Sequence, residues 1–242
     1  GIGGDLDDNN PKWPPFGEKQ AGLETGTMPI ADLGFAIVSD YLLMKEGKRV
    51  VYLTLTFTEP HGIMLSHLAV DDFTVLFSGE KDWIEGVIPY YEDSEAGIAV
   101  SSTTLRLRIK IPASEKAIIE YNEETFAENY ETTSPVMKVI INQSTSKNLY
   151  TRLVSKPLQK VDISVKVNGV KDLVLQNETG TLDPAKPFLP FGNSPAIGSE
   201  FYIGSREVFS KQLTRLTFGF DWAEMPDSMS THYTDYSLGS VN

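Results

Sequence analysis

The segment TLRLRIKI at residues 104–111 alternates apolar and polar side chains without a break. Successive side chains of an extended strand point to opposite faces, so this period of two predicts a strand with one buried face. The face that should be buried comprises Leu105, Leu107, Ile109 and Ile111. The face that should lie in water comprises Arg106, Arg108 and Lys110.

The same kind of pattern recurs along most of the chain, with turn-forming residues between the segments. Together with 104–111, the segments that predict strands are 51–57, 73–77, 135–142, 161–167, 172–176 and 216–222. Many short strands at regular spacing are typical of an antiparallel sandwich. We therefore predict an all-β fold, an antiparallel β-sandwich of immunoglobulin-like general architecture. One exception is residues 113–130, where Ser114 and the helix formers behind it predict a short helix or helical turn between two strands.

An internal repeat divides the chain. TLDPAKPFLPFG at 181–192 resembles DLDDNNPKWPPFG at 5–17, and the likeness continues downstream. The matched downstream pairs are 35–43 with 201–209, and 53–57 with 216–220. We expect an extended connector at 1–30, a β-sandwich module at 31–178, and at 179–242 a connector followed by the first strands of a second module. Because two strands cannot close a core alone, we expect the chain to be part of a longer modular protein.

The repeated phrase combines prolines with large aromatic rings. Prolines reduce the entropy lost on ordering, and each ring buries a large apolar area, so we interpret the phrase as a clasp that holds a module to its neighbour. The alternative is an ordinary loop with chance aromatics. The residues expected to make these contacts are Trp13, Phe16, Phe188, Phe191 and, on the apolar face of the second module, Trp222. We expect both phenylalanine rings to be mostly buried. We also expect the face at 216–222 to be covered, either by the first module or by another copy of the chain.

Composition narrows the classes of function. The net charge of −12 argues against binding to nucleic acid or to an anionic membrane, both of which require basic surfaces. The chain contains no cysteine, which excludes disulfides, thiolate nucleophiles and Cys-ligated zinc. The apolar runs are far shorter than the roughly 20 residues that span a bilayer, so we expect no membrane insertion.

Few residues suggest chemistry. The acidic run at 4–10 offers oxygen ligands for calcium, but the repeat retains only Asp183 of these acids, which favours a solvated loop. His61 and His67 form no recognised ligand pattern, and the adjacent acids at 71–72 and 123–124 are best explained as surface charge. No nucleophile, phosphate-loop or dinucleotide motif occurs. We therefore predict no catalytic, cofactor-binding or metal-binding residue, and no enzyme activity.

The sequence resembles a family of structural proteins. GFAIVSDYLLMKEGKRVVYLTLTF at 34–57, FTVLFSGEKDWIE at 73–85 and the long segment at 170–222 that contains LDPAKPFLPFGNSPAIGSEFYIG are similar to baseplate wedge proteins of contractile injection systems. These phage-tail-like machines are those encoded by bacteria of the Bacteroidetes type. The likeness covers roughly residues 30–225.

The resemblance implies a scaffold that is not an enzyme. Its partners would be other baseplate subunits, and it would reside in the cytoplasm during assembly and then in a secreted or anchored particle. No catalytic or ligand residue is carried over. The main alternative is a carbohydrate-binding or adhesive module, for which Trp83, Tyr90 and Tyr91 would form an exposed aromatic platform. A hydrolase is the weakest alternative because no nucleophile and base occur together.

Overall fold

The structure is a computed structural model, which describes residues 33–126, 128–142, 147–154, 156–223 and 227–228. The chain divides into two compact units, with the boundary between Asp172 and Leu173. In chain order, the strands of unit one are β1 (Leu33–Val38), β2 (Lys48–Phe57), β3 (Phe73–Ser78), β4 (Trp83–Gly86), β5 (Tyr91–Glu92), β6 (Glu95–Ala96), β7 (Ile98–Val100), β8 (Thr104–Ile111), β9 (Val136–Ile141) and β10 (Leu158–Asn168). Helix α1 spans Lys147–Leu153, and short 3-10 turns span Asp40–Leu42, Leu65–His67 and Val70–Asp72.

Unit one is built from two antiparallel four-stranded sheets. One sheet has the order β1-β9-β3-β4 and the other β10-β2-β8-β7, while β5 and β6 form a separate hairpin. The orders β7-β8-β2 and β4-β3-β9 match strands D-E-B and C′-C-F of an immunoglobulin sandwich. β1 then occupies the edge position of strand G, and β10 that of strand A. The prediction of an all-β antiparallel sandwich with this general architecture is confirmed.

The alternation in β8 predicted its buried face correctly. Leu105, Leu107, Ile109 and Ile111 are all buried in the core. β8 pairs with β2 so that Leu107 lies opposite Leu53 and Leu105 opposite Leu55. Side chains from both sheets belong to one continuous core, which includes Val75 and Val139 of the facing sheet. Period-two patterning therefore fixes which face of each central strand is covered.

The expectation that Arg108 lies in water is wrong. Its side chain is buried, with its nitrogens 3.0 Å from Asp93 Oδ2 and 3.2 Å from Glu95 Oε2. Burial alone would lower the pKa of Arg108, but hydrogen bonds and charges from Tyr52, Asp93 and Glu95 outweigh it and raise the pKa. The hairpin of β5 and β6 supplies both acids and therefore covers this part of the outer face of β8. Arg106 is exposed, as expected.

Among the described residues of 113–130 no helix is present, and the segment has turns at 113–114 and 123–125 instead. Ile118 makes an isolated antiparallel bridge with Met44, and Tyr121, Phe126 and Tyr130 pack with Trp83 in a small aromatic cluster. Burial of these rings overrides the helix propensity of the segment, which is a weak preference for each residue. Burial raises the pKa of Tyr130 to about 12.

Helix α1 was not expected from the sequence. It carries Leu149 and Leu153, which lie four residues apart and are both buried in the core of unit one. Residues four apart lie on one face of a helix, so this pair was the available signal. The helix has only seven residues, fewer than the roughly 11–18 over which amphipathic periodicity is recognised.

Unit two contains β11 (Val174–Asn177), β12 (Gly180–Leu182), β13 (Phe201–Gly204) and the short helix α2 (Arg206–Phe209). The strands form an antiparallel sheet with the order β12-β11-β13. The sequence placed the strand at 172–176 in the module that ends at residue 178. Because β11 pairs with β12 and β13, it lies in unit two instead.

The strand predicted at 216–222 is not present. Residues 212–222 are described, and they belong to no strand or helix. A strand is stable only where its backbone N–H and C=O groups pair with a neighbouring strand. Among the described residues, no strand is paired with this segment.

Candidate protein interaction site

The connector at 183–192 packs on the sheet of unit two. The ring of Phe188 is stacked on Phe201 of β13 with centroids 5.8 Å apart, and Phe191 meets the same ring edge-on at 6.4 Å. The side-chain amide of Asn177 in β11 donates to the carbonyl oxygen of Leu189 at 3.1 Å. The second copy of the repeated phrase is therefore held by three contacts within its own unit.

The burial expected for these rings is only partly observed. Phe188 is half-buried, whereas Phe191 is 48% exposed, so the expectation that both rings are mostly buried is wrong. Both rings share contact with Phe201 of the three-stranded sheet, while Tyr202 of the same strand is 54% exposed. Trp13 and Phe16 of the first copy, and the acidic run at 4–10, lie outside the described residues.

Asp183 has a structural role in this connector. Its Oδ1 accepts a hydrogen bond from the backbone N–H of Ala185 at 2.9 Å, and its Oδ2 lies 3.0 Å from the ammonium of Lys186. The bond from Ala185 and the interaction with Lys186 lower the pKa of Asp183. An aspartate that accepts from the backbone two residues ahead stabilises a turn. This accounts for the one acid that the repeat retains.

We expect Phe188→Ala to loosen the connector. The ring is only partly buried and is stacked on Phe201, so the free energy of unfolding of unit two should fall by about 1–2 kcal/mol, less than the roughly 3–5 kcal/mol for a fully buried phenylalanine. Hydrogen exchange of residues 183–192 should become faster. Leu189→Ala is the control, because that side chain is 56% exposed and should change little. Equal exchange in both variants would show that the stacking on Phe201 does not hold the connector.

The repeat is also visible in the local structure. β1 is followed by Ser39, whose Oγ accepts from the N–H of Tyr41 at 3.3 Å, and β13 by Ser205, whose Oγ accepts from the N–H of Val208 at 3.4 Å. Both serines are extended N-caps of a short helical turn, with φ/ψ of −164°/135° and −157°/121°. The strand, cap and turn that open unit one therefore recur in unit two.

The repeat ends in an exposed row of apolar side chains, which we call the apolar stripe. It consists of Leu216, Phe218, Phe220 and Trp222, which are 42% to 60% exposed. In unit one the matching strand β2 is central in its sheet and its apolar side chains are buried. The face is therefore not covered within the described part of this chain, and cover by another copy of the chain stays a prediction.

In the described part of the chain, unit two exposes more large apolar side chains than unit one. Among the described residues, it contributes eleven of the seventeen large apolar side chains that are exposed, although it holds the smaller part of the chain. Exposed apolar patches of this kind mark sites of protein–protein contact. The apolar stripe, with Phe191 and Tyr202 elsewhere in unit two, makes this unit the candidate interaction site.

The three aromatic residues expected to form one platform do not come together. Trp83 lies in the cluster with Tyr121, Phe126 and Tyr130, and the ammonium of Lys138 lies 4.8 Å from its ring centroid. Tyr90 and Tyr91 are 84% and 67% exposed. They line a pocket of about 190 Å³ whose other walls are Leu65, Leu68, Val70, Ala96 and Ile98.

The histidines and paired acids have structural contacts. His61 is buried, with Nε2 3.3 Å from the carbonyl oxygen of Thr104 and Nδ1 accepting from the N–H of Ile63 at 3.1 Å. His67 Nδ1 accepts from the N–H of Met64, and Asp72 accepts from the N–H of Ala69. Within the described ranges, no group of three or more His, Asp or Glu side chains is arranged to hold a metal ion.

Protonation of His61 should destabilise unit one. Burial lowers the pKa of His61 below 6.5 and outweighs the opposing effect of the hydrogen bond to Thr104. A lowered folded-state pKa means that the neutral ring stabilises the fold above pH 6.5, and that this stability is lost as the pH falls through the folded pKa. We expect the urea midpoint to fall more between about pH 7 and about pH 5 in the wild type than in His61→Gln. Identical pH dependence in the two proteins would contradict this.

No helix among the described residues is long and apolar enough to cross a membrane. Comparison with known proteins gives no further guide, since no family model matches the chain and no curated protein matches it either.

Proposed function

We propose that the chain is a non-enzymatic structural module of the baseplate of a phage-tail-like contractile injection system. In this role it holds neighbouring baseplate subunits through its sandwich and through unit two. The observation that carries the proposal is the apolar stripe, which repeats the central strand β2 of unit one but is left exposed. The resemblance of residues 34–57, 73–85 and 170–222 to baseplate wedge proteins supplies the setting.

The energetics support a partner for the stripe. Fully burying one large apolar side chain contributes about 1.5–3 kcal/mol, and the four side chains of the stripe are about half covered. Covering the remainder would therefore contribute about 3–6 kcal/mol, before the cost of ordering the segment. That gain in free energy favours association of the apolar stripe with the surface of another protein, as in an assembly.

The proposal assigns no catalytic, cofactor-binding or metal-binding residue. In this role the partners of the chain are other baseplate subunits, and the chain is cytoplasmic while the particle assembles. After assembly it belongs to the injection particle, which is either released or anchored.

The exposure of Tyr90 and Tyr91 supports a second candidate, the carbohydrate-binding or adhesive module. Exposed tyrosines stack on sugar rings, which is the argument for this function. The other walls of the pocket are aliphatic, however, and a sugar also needs polar partners for its hydroxyl groups. An apolar protein side chain suits these walls better. Binding on a glycan array that is lost in Tyr90→Ala would support the sugar, and binding that Tyr90→Ala leaves unchanged would exclude this pocket as its site.

The baseplate proposal is tested in the bacterium that encodes the chain. We expect deletion of the coding region to yield no intact particles, or sheaths without baseplates, in electron micrographs. Complementation with a double variant, Phe218→Asp with Phe220→Asp, should restore fewer particles than complementation with Thr217→Asp, a control outside the apolar stripe. Normal particles from the deletion strain would overturn the proposal.

A further inference from the structure

The sandwich of unit one has one long edge that accepts no strand among the described residues. β10 spans eleven residues and pairs only with β2, so one side of its backbone lacks a described ladder. Its core-facing side chains are only half-buried: Val161, Ile163, Val165 and Val167. A central strand such as β2 buries the corresponding side chains completely. β10 is therefore an edge whose apolar face is incompletely covered.

The charges on β10 do not block this edge. Lys160, Asp162 and Lys166 are exposed and alternate with the half-buried aliphatic side chains, and Lys160 and Asp162 form an ion pair at 2.7 Å. They therefore lie on the solvent face of the sheet. A strand added beside β10 would leave that face in water, although charged edges generally discourage unspecific pairing.

Residues 213–222 carry the pattern of the strand type with which β10 already pairs. In unit one, Leu53 and Leu55 of β2 lie opposite Ile163 and Val161 of β10. The repeat aligns 53–57 with 216–220, and the strand, serine cap and turn before β2 recur before this segment. The segment is thus the β2 equivalent of unit two, and no described strand pairs with it in the way that β8 and β10 pair with β2.

We propose that residues 213–222 add as an edge strand beside β10 of a second copy of this chain. The apolar stripe would extend the half-covered face of Val161, Ile163, Val165 and Val167, while Thr217 and Asp221 would face water with the charges of β10. Strand addition of this type gains affinity from main-chain hydrogen bonds and specificity from alternate side chains.

The contact joins two different surfaces, because the added strand belongs to unit two and the accepting edge to unit one. Such heterologous contacts repeat from copy to copy and produce a ring when they close, or an open chain when they do not. The inference deepens the proposed function by naming a partner for the stripe, and it rests on that function for its biological setting. The test uses purified chain, so its failure is distinguishable from failure of the particle experiment.

The experiment is sedimentation velocity of the full chain over a roughly hundredfold range of concentration. We expect the wild type to associate as the concentration rises, and the double variant Phe218→Asp with Phe220→Asp to remain monomeric. Thr217→Asp is the matched control, because it adds the same charge outside the apolar stripe and should associate like the wild type. The substituted side chains are all exposed, so circular dichroism should show an unchanged fold.

A photo-crosslinking residue in place of Phe218 identifies the contact. In a mixture of isotopically heavy and light chains, we expect crosslinked peptides that join 213–222 of one copy to 158–168 of the other. A wild type that is monomeric at every concentration, or association that the double variant leaves intact, would overturn the proposal. Crosslinks from residue 218 to any strand other than β10 would overturn the assigned edge.

Discussion

Leu107→Asp is expected to prevent unit one from folding. Leu107 is fully buried at the centre of β8, where it lies opposite Leu53 on one side and Ile98 of β7 on the other. The change removes a core side chain and places a carboxylate where water cannot reach it, at a combined cost of about 5 kcal/mol or more. That is comparable with the whole stability of a typical domain. Loss of the dispersed amide spectrum and of cooperative denaturant unfolding would be the measured result.

Arg106→Asp is the matched control for that variant. Arg106 is adjacent in sequence but exposed, and its described contact is with the ring of Tyr52, with the guanidinium carbon 5.6 Å from the centroid. Losing an exposed contact of this kind costs about 0.5–1 kcal/mol. Equal effects of the two aspartates would mean that the register of β8 is wrong.

Arg49→Ala is expected to have the second largest effect. The side chain of Arg49 is almost fully buried, and its guanidinium donates to the carbonyl oxygens of Lys116 at 2.7 Å, Glu115 at 2.8 Å, Pro112 at 2.9 Å and Met44 at 3.1 Å. Hydrogen bonds to a charged donor contribute about 1.5–3 kcal/mol each and do not add fully. We expect a loss of about 4 kcal/mol in the free energy of unfolding and faster hydrogen exchange over residues 112–119.

Arg49→Lys separates charge from geometry. A lysine keeps the positive charge, but its single ammonium does not reproduce the planar fork that serves four carbonyls. The free energy of unfolding of Arg49→Lys should lie between those of the wild type and Arg49→Ala. If the alanine variant unfolds at the wild-type denaturant concentration, Arg49 does not hold the loop at 112–119.

Sequence periodicity predicted the layers of unit one because burial imposes the period. In β2 and β8 the apolar residues fall on one face and are buried, so the sheet and its core followed from the pattern. Arg49 itself lies in phase with Val51 and Leu53, which was an available sign that its side chain points inward. Three of the four carbonyls that it contacts come from a loop more than sixty residues away, and periodicity carries no information about that loop.

The errors have the same physical origin. Arg108 is buried because the hairpin of β5 and β6 places Asp93 and Glu95 against its guanidinium. Residues 113–130 are not helical because three of their aromatic rings pack with Trp83. The local sequence pattern indicates which secondary structure a segment prefers. The burial of Arg108 and the conformation of residues 113–130 depend instead on which other segments pack against them. At 216–222 the pattern predicted a strand that is not present, since a strand also requires a neighbouring strand to pair with.

Only part of the candidate interaction site could be identified from the sequence. Phe188 and Phe191 were identified from their unusual context, but Phe201, which both contact, was noticed only as part of the repeat. A repeat whose first copy is a central strand and whose second copy has no described partner indicates an interaction surface. The difference in side-chain burial between the two copies is evident only in the structure.

Hydrogen exchange of residues 213–222, measured in the isolated dilute chain and in purified injection particles, tests most directly whether this segment is an assembly surface. Exchange slows where backbone amides enter a stable ladder. The account predicts fast exchange in the isolated chain and slowing by about tenfold or more in the particle. Equally fast exchange in both states, or absence of the chain from the particles, would contradict it.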